Sequence, residues 1–296
     1  MLNHTKTIVN LFIILIVSSF LGCSKLVPKP DIPAYLQIDS FSYTVSSIDT
    51  TISQSVAIEN VWVYANNLLL GVYILPAKVP VLLDGNVEIQ LRPGIKQNGI
   101  SNTRVYYPFY KSHIENINLV RGSTHIIKPT TSYFDYTKIK YRENFETSIF
   151  KLEKTSISNV EIKRTNDPNE VFEGNYSGKI YLTANDTLAE LTSTTEYALP
   201  TAGVAVYLEL NYKNNTAFEF GIIANQSGGN VTQTVYSFNP SYDLSGSLVW
   251  KKIYIDMSTN VSSLSAATSY KIYFYAQRSK SDNDAIIYLD NIKVVH

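Results

Sequence analysis

The sequence predicts an all-β protein built as two tandem β-sandwich domains. Three observations predict it. Almost nowhere in the 296 residues does an apolar pattern persist at helical spacing for about twelve residues. Alternating segments rich in Val, Ile, Thr and Tyr recur instead, and these side chains suit a pleated surface. Clusters of Asn, Gly, Asp, Ser and Pro separate the segments, as turns in sandwich folds do. Two domains follow from the length, at roughly 150 residues per domain.

Composition excludes several classes. There are 25 basic and 25 acidic residues, so no basic stripe is available to displace counterions from phosphate, and nucleic acid is not an expected partner. One cysteine rules out a disulfide scaffold and a zinc site built on thiolates. Aromatic residues make up 12 %, which supplies ample apolar surface to bury and argues against disorder.

Residues 1–22 have the form of an export signal. Lys6 and His4 give a weakly basic start, and Ile8 to Leu21 is apolar apart from Asn10, Ser18 and Ser19. The run is short for a membrane-spanning helix, which needs ~20 apolar residues. It ends in Phe20-Leu21-Gly22-Cys23, which resembles the lipobox of bacterial lipoproteins. Phe20 and Leu21 depart from the usual residues there; the alternative is an ordinary signal peptide with a chance cysteine. The resemblance implies that Cys23 is acylated and anchors the chain in a lipid bilayer of the bacterial envelope, with no thiol left for catalysis. Residues 23–33 then form a tether, since Pro28, Pro30 and Pro33 favour an extended chain. Some lipoproteins carry acids just after the cysteine that send them to the cell surface. Lys25 and Lys29 occupy that stretch here, so a periplasm-facing anchor in the outer membrane is favoured.

Residues 34–128 make the first sandwich. Val56 to Val63 reads as a strand, and Asn66-Asn67 as a tight turn into Leu68–Leu75, because Asn tolerates positive φ. Pro76 and Pro80 break the chain; Asp84-Gly85-Asn86 turns it into the alternating Val87–Leu91. The stretch from Val56 to Ile95 resembles the PEGA-type and related immunoglobulin-like modules of envelope proteins, which serve as spacers and adhesive supports. The aromatic segment Asn98–Tyr110 is either a contact surface or a strand packed on the sandwich. Residues 129–140, with Pro129, Thr130, Thr131 and Ser132, read as a linker.

Residues 141–296 make the second sandwich. They open with Glu143-Asn144-Phe145-Glu146, continue through Glu173-Gly174-Asn175-Tyr176-Ser177-Gly178 and end in Tyr288-Leu289-Asp290-Asn291-Ile292. These pieces, in this order, resemble the jelly roll of carbohydrate-binding modules and related galactose-binding-like domains. The resemblance implies that the first and last strands lie side by side, and that Glu146, a carbonyl near Gly174 and Asp290 gather around a structural calcium, with Glu143 or Glu173 as helpers. Calcium takes six to eight oxygens. The alternative makes Asp290 and Asn291 a surface turn and Glu146 a solvated residue.

Alternation places Val204, Val206, Leu208 and Leu210 on one face of a strand, and Tyr207, Glu209 and Asn211 on the other. A second strand puts Ile272, Phe274 and Ala276 opposite Tyr273, Tyr275 and Gln277. The two tyrosine-plus-polar faces are candidates for a single glycan platform, with rings against the CH face of a pyranose and Glu, Asn and Gln on its hydroxyls. The alternative is a solvated sheet whose tyrosines cover their neighbours. Trp250 reads as core or rim.

Enzyme signals are sparse. The sequence contains no Gly-x-Ser-x-Gly elbow, no His-Glu-x-x-His and no phosphate-cradling loop. His113, His125 and His296 lie without a cysteine or acid cluster at metal spacing. The expectation is a lipid-anchored envelope protein that binds glycan without catalysis. A subunit docking another envelope protein is the alternative, and a glycoside hydrolase the least favoured.

Overall fold

The computed structural model describes residues 31–45, 48–49, 53, 55–278 and 284–296. The signal segment and Cys23 lie outside the described residues. Strands dominate, and the one described helix is the short Ser258–Ser263. No described helix is long and apolar enough to cross a membrane. The chain is an all-β sandwich protein.

In the first sandwich, Ala34–Ile38 pairs antiparallel with Ala77–Val81 and parallel with Thr124–Ile127. Facing it is a five-stranded sheet in which Leu68–Ile74, Asn60–Ala65, Gly85–Lys96 and Arg104–Tyr106 follow in order, with His113–Leu119 also on Gly85–Lys96. Leu36, Ile38, Val61, Val63, Ile89 and Leu91 fill the space between them. The turn at Asn66-Asn67 forms as expected: φ is 47° and 65°, positive at both central residues, which suits the twist of the hairpin.

The second sandwich packs two sheets face to face. One runs Lys163–Thr165, Ser177–Leu182, Ala285–Val295, Tyr207–Asn214 and Lys251–Asp256, with Ile139–Glu143 paired to the last strand of the chain. First and last strands therefore lie side by side. The other sheet runs Leu152–Lys154, Leu188–Ser193, Ser269–Gln277, Phe218–Gln226 and Gly229–Phe238. Leu208, Leu210, Phe220, Ile222, Phe274, Ile287 and Leu289 are buried between the two.

Residues 129–140 are not a free linker. Thr130–Thr131 pairs with Ser42–Tyr43, Tyr133 bridges to Tyr110, and Lys138 and His296 exchange backbone hydrogen bonds of 2.7 and 2.9 Å. Thr131, Tyr133 and Thr137 are all buried. Proline and hydroxyl residues gave the segment a loop's composition, but alternate side chains enter the seam between the sandwiches. Tyr207, Tyr254 and Val295 of the second sandwich are likewise part of the first one's apolar core.

Candidate functional site

The two tyrosine faces do not form one platform. Tyr207–Asn214 and Ser269–Gln277 belong to different sheets, and each presents its polar-aromatic side outward, so the two sides look away from each other. Tyr207, Glu209 and Asn211 are also covered by the first sandwich and are 5, 1 and 1 % exposed. Glu209 Oε1 accepts hydrogen bonds from the hydroxyls of Tyr107 at 2.8 Å and Tyr133 at 2.5 Å. Its Oε2 lies 3.3 Å from the ammonium of Lys252. Asn211 accepts from Ser55 at 2.9 Å, and the Tyr207 ring packs edge-on against Tyr107 at 5.3 Å. Nearby, Lys293 and Arg142 both pair with buried Asp49. Burial, reinforced by the Glu209 charge, raises the phenols of Tyr107 and Tyr133 well above their usual range. Desolvation pushes the Lys252 ammonium down. This face is a polar weld between domains, with no room for a sugar.

Glu146, Gly174 and Asp290 stand close to the turn where the resemblance placed them, but their partners are not those of a cation. Glu146 Oε1 accepts the backbone N–H groups of Asn175 at 2.8 Å and Tyr176 at 3.0 Å, and Oε2 accepts the Asn175 side-chain amide at 3.2 Å. Gly174, at φ +71°, is needed because a Cβ there would meet Glu146 Oε1 at 2.4 Å. Glu146 is thus a staple for the turn. Asp290, 1 % exposed, accepts from the Ser177 hydroxyl at 2.6 Å and the Asn291 N–H at 2.7 Å. Glu143 accepts the N–H groups of Phe145 and Lys151, both at 2.7 Å, and Glu173 accepts from the Asn291 amide at 3.0 Å. These carboxylates face donors, where calcium would require converging acceptors. Among the described residues no group of three His, Cys, Asp or Glu is arranged to hold a metal ion. The residues present do not fit the calcium that the resemblance implied, and Asp290 is not a surface turn residue either.

The outer face of the second sandwich's five-stranded sheet keeps the other half of the expected platform. Tyr275 stands in register with Glu190 on one side and Glu219 on the other. One step along, Tyr273 lies in register between Thr192 and Gly221. Its ring covers Gly221, where a Cβ would come within 2.2 Å of the ring carbons. The Tyr273 hydroxyl and Thr234 Oγ1 are 2.8 Å apart, and Thr234 donates to Glu219 at 3.0 Å. Thr155 donates to Glu190 at 2.9 Å, Tyr275 donates to Gln277 at 2.9 Å, and Lys271 pairs with Glu153 at 3.6 Å. Tyr273 is buried, while Tyr275 is half-buried and Gln277 exposed. The outcome is a shallow face with one accessible ring between two carboxylates about 10 Å apart at the Cα atoms, two strand spacings. Sequence reasoning missed Glu190 and Glu219. Each sits on an alternating strand, but only the pairing of three non-consecutive strands brings them beside Tyr275.

The remaining candidates are structural. Trp250 packs on Phe172 at 5.3 Å and Tyr288 at 6.2 Å, as a rim residue. His113 accepts the Thr130 N–H at 3.3 Å, and His125 lies in register with Leu36 in the parallel ladder. Tyr107, Phe109 and Tyr110 of the aromatic segment are core residues of the seam.

No family model matches the chain, and no curated protein matches it. Several solved structures are similar. A carbohydrate-binding module of the β-sandwich superfamily, described for promiscuous specificity, is 13 % identical; 90 % of this chain and 99 % of that one are covered at a TM-score of 0.37. A family 11 carbohydrate-binding module from Clostridium thermocellum, in complex with a β-1,3-1,4-mixed-linked tetrasaccharide, is 15 % identical over 53 % of this chain and 94 % of that one, with a TM-score of 0.36. The N-terminal part of endo-1,4-β-D-xylanase 10B of the same organism, with xylohexaose, is 13 % identical at a TM-score of 0.37; 54 % of this chain and 28 % of that chain are covered. The all-β sandwich architecture stands on the strand pairing of the chain itself.

Proposed function

We propose that this protein is a lipid-anchored envelope protein that binds a glycan, without catalysis, on the outer face of the second sandwich's five-stranded sheet. One observation carries the reading: Tyr275, the accessible ring of that face, is flanked in register by Glu190 and Glu219. A phenol ring offers its face to the CH groups of a pyranose, and two flanking carboxylates accept from equatorial hydroxyls on either side. Gln277 and Thr234 extend the polar rim.

A glycan array probed with the full chain in detergent tests this. For any glycan detected, Tyr275→Ala is expected to weaken binding at least tenfold. Truncating a hot-spot aromatic costs about 2 kcal/mol or more, and 1.4 kcal/mol is a factor of ten. Unchanged affinity would move the site elsewhere.

Docking to another envelope protein is the second reading, and it has its own observation. Leu68–Ile74 is an edge strand without a charge, and Leu69, Val72 and Ile74 on it are exposed. Such an edge accepts a further strand. Binding to no glycan, together with a partner captured by cross-linking in membranes, favours this reading.

Anchoring is tested separately. Cys23→Ser is expected to release the protein from membranes and abolish labelling by a palmitate analogue, because several acyl chains hold far more firmly than none. A variant that still fractionates with membranes and takes up the label overturns the anchor.

A further inference from the structure

We infer that the cleft between the two sandwiches is a second binding site, built for a hexuronate, a sugar residue carrying one carboxylate. This site is separate from the Tyr275 face and does not depend on binding there.

The cleft holds a cavity of about 350 Å³, within the range of small-molecule sites. That is room for about ten waters at ~30 Å³ each, far more than an inorganic oxyanion fills. The first sandwich contributes Glu59 and Lys96, and the second contributes Tyr212, Tyr236, Lys251 and Lys252. Three lysines and one glutamate are therefore among its lining residues, in a chain whose formal net charge is zero.

Two of the three cations are already neutralised. Lys96 pairs with Glu59, and Lys252 with the buried Glu209. Lys251 is different. Its ammonium donates to the Tyr242 carbonyl at 3.2 Å and forms no ion pair among the described residues. The cleft thus has one uncompensated positive charge, which suits a monoanion better than a phosphate dianion.

Tyr212 and Tyr236 supply the neutral contacts. Both rings are rooted against Phe238, at 4.9 and 4.8 Å. Neither hydroxyl has a hydrogen-bond partner among the described residues, although both groups are half-buried. Burial raises the Tyr212 phenol to about 12 and pushes that of Tyr236 up as well, so both remain protonated donors at neutral pH. Neither hydroxyl is shut away from solvent, so each is open to meet a ligand. Two phenols, one ammonium without an ion pair and an apolar ring wall match the hydroxyls, carboxylate and CH groups of a single uronate ring. Opposite them, Gly99 brings the first sandwich's loop close: a Cβ there would lie 3.6 Å from the Tyr236 hydroxyl.

Isothermal titration of the full chain in detergent with methyl galacturonoside, methyl glucuronoside, methyl galactoside and sulfate tests the site. At least one uronoside is expected to bind about tenfold or more tightly than the neutral galactoside and sulfate. Lys251→Gln is expected to weaken it about tenfold or more, since a charge-assisted hydrogen bond is lost. Tyr236→Phe removes a hydroxyl that has no protein partner, so it should leave melting unchanged and weaken the uronoside several-fold. Tyr275→Ala should leave uronoside binding as it is, which separates this site from the sheet-face reading. The inference is overturned if neither uronoside binds, if sulfate binds equally well (an anion site only), or if Lys251→Gln and Tyr236→Phe both bind like the unsubstituted protein.

Discussion

Glu209→Ala is expected to lower the melting temperature by about 10 °C and to do so for the whole chain at once. The carboxylate is buried between the sandwiches, with two tyrosine hydroxyls on Oε1 and Lys252 on Oε2. Removing it leaves the Lys252 ammonium and two phenol donors without their acceptor. Breaking a buried pair on one side costs about 3–5 kcal/mol, and at this size each kcal/mol moves melting by about 2–4 °C. Part of that cost is the stranded charge, so Glu209→Leu combined with Lys252→Met should be markedly less damaging than Glu209→Ala. Calorimetry is the measurement. A single transition that shifts as a unit is expected, because Tyr207, Tyr254 and Val295 belong to the first sandwich's core while lying on the second sandwich's strands. Two separate transitions, only one of which moves, would show that the weld contributes little.

This weld marks where the sequence stopped being legible. Alternation assigned Leu208 and Leu210 to the core and Tyr207, Glu209 and Asn211 to the opposite face, and both assignments hold. Periodicity says which side chains share a face. It does not say what covers that face, and a tyrosine, a glutamate and an asparagine together look solvated. Local chemistry read well at the first hairpin. Asn66-Asn67 turns because Asn accepts positive φ; the pairing of the chain's last strand with Ile139–Glu143 joins distant parts of the sequence and came from the resemblance. The calcium expectation rests on a pattern of the same kind. A carboxylate near a glycine turn is the same motif whether it holds a cation or staples the turn's own N–H groups, as Glu146 does for Asn175 and Tyr176. Only the direction of those donors separates the two. Likewise Glu190 and Glu219 are ordinary strand residues until Ser269–Gln277 is found between their strands.

Asp290 turns that distinction into a pH-dependent stability. Its carboxyl is almost fully buried, and burial raises it to about 7, against the lowering effect of hydrogen bonds from Ser177 and Asn291. In the unfolded chain the group releases its proton near 3.8. Between these two values the native state binds more protons than the unfolded one, so this residue's contribution falls as pH rises. It is most favourable below pH ~4, declines up to about pH 7 and is level above that. At ~1.4 kcal/mol per pH unit the full decline is on the order of 4 kcal/mol. Glu170 acts in the opposite sense and at lower pH, because hydrogen bonds from Lys179, Thr165 and Tyr288 outweigh its desolvation and hold it below its usual range. The useful quantity is therefore the difference between the protein and its Asp290→Asn variant. Asparagine keeps an acceptor for the Asn291 N–H and carries no charge to desolvate. The variant should be close to the parent near pH 4 and melt about 10 °C higher at pH 8, with EDTA and added calcium moving neither protein. If the variant is instead the less stable at pH 8, and EDTA lowers the parent to meet it, then Asp290 is ionised on a cation and the hydrogen-bonded reading of this corner is wrong.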